Sequence, residues 1–126
     1  MKYLCLVYIE EKKLAAVSPG DPDALSDDEC IAYDEALRKR DLCVASEALQ
    51  PVETATTVRV RNGKVSITDG PFAETKEQLA GFYLIEARDL NEAIQVASKI
   101  PPARLGSIEV RPIRELTGRS GGKRMY

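Results

Sequence analysis

Tyr3-Leu4-Cys5-Leu6-Val7-Tyr8-Ile9 is a continuous apolar run near the start of the chain. It reads as a β-strand buried on both faces. The elements after it decide how that burial is achieved. Ser18-Pro19-Gly20-Asp21-Pro22 marks residues 10–25 as a connecting loop. Ser26, with Glu29 three residues on, reads as a capping box that opens a helix to about Arg40. Cys30, Tyr33 and Leu37 form its apolar stripe, with Ala36 beside it. Asp27, Asp28 and Glu29 suit the positive end of the helix dipole, and Arg38, Lys39 and Arg40 suit the negative end.

Val44 to Leu49 reads as a short strand closed by Pro51. Farther on, Val58, Val60, Val65 and Ile67 alternate with Arg59, Arg61, Lys64 and Ser66 around Asn62-Gly63. That is a hairpin with a type I′ turn. The turn pairs Val60 with Val65 and Val58 with Ile67, so all four share one face. Asp69-Gly70-Pro71-Phe72 ends the hairpin. Gly81 to Glu86 is a strand with Phe82 and Leu84 on one side and Tyr83 and Ile85 on the other. Asp89 with Glu92 reads as a second capping box. Its helix runs to about Lys99, buries Leu90, Ala93, Ala97 and Ile100, and stops at Pro101-Pro102. Ile108, Val110 and Pro112 alternate in a last strand. Residues 1–115 make one domain, and 116–126 read as a flexible basic tail.

The element order is β-α-β, a hairpin, then β-α-β. This is an α+β fold of ferredoxin-like, split βαβ type with an inserted hairpin. Two helices cover only one face of such a sheet. A first strand that is apolar on both faces therefore predicts a homodimer with facing sheets, a dimeric α+β barrel.

Composition narrows the chemistry. The 126 residues and 13.9 kDa suit one domain, with 44% apolar and 30% charged residues. There is no His, which removes the Ser-His-Asp triad, the Cys-His pair and every His-ligated metal site. Cys5, Cys30 and Cys43 are spaced by 25 and 13 residues, so no metal or redox pair is readable. Neither metal nor cofactor is expected. The odd cysteine count and the absence of a readable signal peptide point to the cytoplasm. No run approaches a membrane span. Residues 1–50 carry 6 basic and 11 acidic side chains, a net −5, and residues 51–126 carry 12 and 9, a net +3. With a pI near 5.3, direct nucleic-acid binding is not expected.

Asp69-Gly70-Pro71-Phe72-Ala73-Glu74-Thr75-Lys76-Glu77, followed by Gly81-Phe82-Tyr83-Leu84-Ile85-Glu86, resembles the signature of the YCII-related, or DGPF-domain, family. Met1-Lys2-Tyr3-Leu4, Glu47-Ala48-Leu49-Gln50-Pro51 and Ile108-Glu109-Val110-Arg111-Pro112 are similar too. The resemblance extends to about Ile113. It implies a dimeric α+β barrel. Some YCII-type relatives use a His–Asp pair for acid–base chemistry, and this chain keeps the Asp without the His. Other members are associated with sigma factors of the extracytoplasmic-function type, which implies a regulatory setting.

Asp69 carries two readings. It fixes the turn by bonding backbone N–H groups, or it projects into a cleft as a metal-free general acid or base. Phe72 is a core anchor or a ligand surface. Lys76 and Glu77, with Glu74, form a solvated loop or hold an anionic ligand while a carboxylate moves a proton. Tyr83 offers a hydroxyl, and Glu47 is a second carboxylate. The sequence thus leads to an unidentified small molecule bound near Asp69. The alternative is a non-catalytic regulatory or interaction module associated with transcription.

Overall fold

The computed structural model describes residues 1–18, 20–22, 24–118 and 123–124. The fold is α+β. Strands β1 (Lys2–Ile9), β2 (Cys43–Ala48), β5 (Gln78–Glu86) and β6 (Ser107–Pro112) form one antiparallel sheet in the order β2-β5-β1-β6. That order is compatible with the ferredoxin-like arrangement. Between β2 and β5 in the chain, β3 (Thr56–Arg61) and β4 (Lys64–Asp69) form a separate two-stranded ladder. Its register pairs Val60 with Val65 and Val58 with Ile67. Asn62 and Gly63 both have positive φ, at 52° and 74°, as a type I′ turn requires.

Among the described residues, three α-helices accompany the strands: α1 (Glu11–Ala16), α2 (Asp27–Lys39) and α3 (Leu90–Ser98). The core lies on the side of the sheet where α2 and α3 pack. Tyr3, Cys5, Val7 and Ile9 of β1 and Tyr83 and Ile85 of β5 meet Leu37 of α2 and Ala93, Val96 and Ala97 of α3. The Tyr33 hydroxyl donates to the Val96 carbonyl at 2.6 Å and ties α2 to α3. Strand alternation sends Leu4, Leu6, Tyr8, Phe82 and Leu84 to the opposite face, where they are half-buried. The first strand is therefore fully buried on one face only.

Three local readings are corrected. The segment after β1 is not all loop, because Glu11-Lys12-Lys13-Leu14-Ala15-Ala16 are good helix formers and make α1. Leu90 is 50% exposed, since it is the first residue of α3, and Val96 takes the core position instead. The capping boxes are one-sided. Ser26 accepts from the Glu29 amide at 3.2 Å, but the Glu29 carboxylate grips Arg104 at 2.6 and 2.8 Å. Likewise, Asp89 accepts from the Glu92 amide at 2.9 Å, while Glu92 turns to the Arg88 amide at 2.9 Å. In the segment 116–126, Leu116–Thr117 pairs with Lys123–Arg124, and the remainder of the expected tail beyond residue 118 lies outside the described residues.

Candidate functional site

The signature loop sits at one end of the sheet. There β1 and β2 finish and β5 and β6 begin, as the pairs Ile9↔Gln78, Tyr8↔Ser107 and Ala48↔Gly81 show. The hairpin leaves and returns at this end. Its base is closed by the Gly70 amide on the Ala55 carbonyl at 2.7 Å and by the Thr57 hydroxyl on the Gly70 carbonyl at 2.8 Å. Gly70 holds φ at 103°, which a residue with a Cβ rarely adopts.

From Pro71 to Gln78 the loop is tied by hydrogen bonds to its backbone and to its Glu77 and Gln78 side chains. Arg59 donates to the Phe72 carbonyl at 3.2 Å. The Gln78 amide nitrogen donates to the Thr75 carbonyl at 2.7 Å and the Lys76 carbonyl at 3.3 Å. The oxygen of the same Gln78 amide accepts from the Glu11 amide at 3.0 Å. Glu11 in turn accepts from the Val52 amide at 2.8 Å, at the start of a short 3-10 turn. Finally, the Ser107 hydroxyl donates to Glu77 at 2.8 Å, across the end of β1. A loop tied in this way keeps its shape before any ligand arrives.

The side chains on that loop are left outside. Asp69 is exposed, and among the described residues it makes no side-chain hydrogen bond or ion pair. The turn is anchored by backbone groups and Thr57, so the anchor expected of Asp69 is supplied by others. Lys76 and Glu74 are exposed and equally unpaired among the described residues. Phe72 is 78% exposed, which overturns its reading as a core anchor: its ring stands outside the core cluster built by β1, β5, α2 and α3. Glu77 is half-buried and engaged with Ser107.

Tyr83 and Glu47 are kept apart. Glu47 pairs with Phe82, on the outer sheet face, and is exposed. Tyr83 pairs with Ser46 and Cys5, on the helix-covered face, and its ring meets Tyr33 edge to face at 6.1 Å. Burial, aided by the nearby Cys30 and Asp34, pushes the Tyr83 hydroxyl up to about 12. Two shallow concavities lie away from the loop. One, of about 280 Å³, runs between α3 and β6 along Ile94, Ala97, Ile108 and Val110, and the other, of about 350 Å³, lies beside Leu14, Val17 and Leu25.

A polar cluster at the β2 edge has only a faint sequence signal, the Asp34–Arg38 spacing of four. Asp34 accepts from the Ser46 hydroxyl at 2.6 Å, Arg38 at 2.8 Å and the Cys43 thiol at 3.3 Å. Burial pulls its carboxyl up, but those three donors together outweigh it and hold it below the usual range. The Cys43 thiol is pushed up, first by burial and then by Asp34, which makes it a poor nucleophile. This cluster fastens α2 to the edge strand. Among the described residues, no three Cys, Asp or Glu side chains converge as a metal site.

The YCII-related domain profile matches residues 1–117, the stretch that builds the sheet, both long helices and the pinned loop. The chain belongs to the YCII-related family. A relative from Rhizobium meliloti (strain 1021), described as an uncharacterised protein, is 38% identical over 120 residues. That alignment spans 90% of this chain and 92% of the relative. Among the described residues of this YCII-related chain, no helix is long and apolar enough to cross a membrane.

Proposed function

We propose that this YCII-related protein is a homodimeric α+β barrel that binds a small organic molecule at the signature loop, with Asp69 and Lys76 as its charged contacts. One observation carries the reading. The loop of residues 70–78 is held by Arg59 of β3 on the Phe72 carbonyl, by Gln78 on the Thr75 carbonyl, and by Ser107 of β6 and the Glu11 amide of α1 on the Glu77 and Gln78 side chains, while Asp69, Phe72, Glu74 and Lys76 are presented outward and exposed. A rigid frame displaying one aromatic ring and unpaired charges of both signs suits an amphipathic ligand with ionic groups. The outer sheet face of Leu4, Leu6, Tyr8, Phe82 and Leu84 supports the dimer, because these apolar side chains are only half-buried in one chain. A second sheet stacked there encloses the loop end and excludes water from it. Acid–base chemistry at Asp69 is then open to the protein without a metal. The three free cysteines fit a reducing cytoplasm.

A thermal-shift screen of small organic acids, amines and zwitterions tests this, with hits measured by calorimetry. The expected hit binds with Kd below about 1 mM and loses affinity in both Asp69→Asn and Lys76→Met. Hits that bind all three proteins equally would refute the placement.

A further inference from the structure

The β3–β4 hairpin has one face with no partner among the described residues of its own chain. Val58, Val60, Val65 and Ile67 lie side by side on it and are 57–69% exposed. The opposite face carries Arg59, Arg61 and Lys64. This alternation is that of a strand pair with one buried face, yet none of the described residues buries it. A two-stranded ribbon standing alone is marginal in water. Its cover must therefore be permanent. A second copy of this chain is the one partner always present in equal number.

Area supports that occupant. The four side chains expose roughly 400 Å², already near the largest apolar patch an ordinary monomer tolerates. The half-buried outer sheet face adds about 200–300 Å², well short of the ~800 Å² per partner of a stable interface. The two surfaces together come close to that size.

We infer that the β3–β4 hairpin is a dimerisation arm, which lays its Val58, Val60, Val65 and Ile67 face on the second copy of the chain. The inference rests on the dimer proposed above and adds a second contact surface to it.

The test uses the intact protein as a mixture of copies with ¹³C-labelled Val, Leu and Ile methyls and unlabelled copies. Isotope-filtered NOE spectra should show the hairpin methyls in contact with protons of the unlabelled copy. Sedimentation of a Val60→Lys, Ile67→Lys double variant should show the dimer Kd raised about 100-fold. Both positions are exposed, so its circular dichroism should match that of the wild type. Leu6→Lys reports on the sheet face separately. A wild-type protein that is monomeric at micromolar concentration refutes both the dimer and the arm. A dimer that Leu6→Lys weakens, but whose Kd the hairpin variant leaves unchanged, refutes the arm alone. Hairpin methyls that contact only their own chain, or a co-purified small molecule, also refute it.

Discussion

Asp69→Asn separates the two roles that the residue could play, and the structure sets the size of each effect. The substitution keeps the shape and removes the charge. A turn anchor of this kind is worth about 0.5–2 kcal/mol. For 126 residues, with an unfolding entropy near 2.1 cal/mol/K per residue, that is a fall of roughly 2–8 °C in Tm. The Asp69 side chain, however, is exposed and bonded to nothing among the described residues, and the turn is held by the Gly70 amide and Thr57. The expected stability change is therefore within about 0.5 kcal/mol, or ~2 °C. Affinity should behave otherwise. A hydrogen bond to a charged group contributes about 1.5–3 kcal/mol, so loss of the charge should weaken ligand binding by roughly 10- to 150-fold. Differential scanning calorimetry of the free proteins and titration of a screened ligand give the two numbers independently. A Tm drop of about 6 °C or more with unchanged affinity would falsify the assignment and return Asp69 to a structural role.

Other sites make equally definite predictions. Gly106→Ala places a Cβ 1.9 Å from the Tyr8 carbonyl oxygen, so β1 and β6 must separate, and the urea midpoint should fall by the equivalent of about 3 kcal/mol. Glu29 is held below its ordinary value by its hydrogen bonds to Arg104, so the clasp contributes stability at neutral pH. That contribution is lost as pH falls below about 4.5, through the lowered folded value, and urea midpoints should drop less steeply with acid in Arg104→Ala. Burial pushes the Cys5 thiol to about 11, so at pH 8 it should escape a thiol reagent until the protein unfolds, as judged by mass spectrometry of the labelled peptides.

The hairpin and its register were legible from Asn62-Gly63 because turn geometry and residue alternation are local properties. The two long helices were legible from Ser26 and Asp89 for the same reason. The reciprocal half of each capping box was not. Glu29 prefers Arg104, which lies 75 positions along the chain, and nothing local announces that partner. Phe72 failed as a core anchor because hydrophobicity alone says nothing about which side of a turn a ring leaves on. The bracing of the loop by Gln78 and Glu11 was invisible for a similar reason: amide and carboxylate side chains on unrelated segments meet only after the strands align. Asp69 and Lys76 were singled out through the signature, and their exposure is visible only in the fold.

The apolar character of both faces of β1 leaves its alignment weakly encoded. Shifting the strand by one position would exchange Tyr3, Cys5, Val7 and Ile9 for Leu4, Leu6 and Tyr8, an apolar set for an apolar set. Side-chain polarity therefore does little to distinguish the correct pairing from a slipped one. The ends of the strand carry that information instead. Met1 exchanges two hydrogen bonds with Ala87, at 2.9 and 2.8 Å, and the Ile113 amide meets the Lys2 carbonyl at 2.9 Å. At the far end Gly106, lacking a Cβ, admits the Tyr8 carbonyl. The native pairing is thus marked at the margins of the sheet, and substitutions there should slow the search for it more than equally conservative changes at its centre.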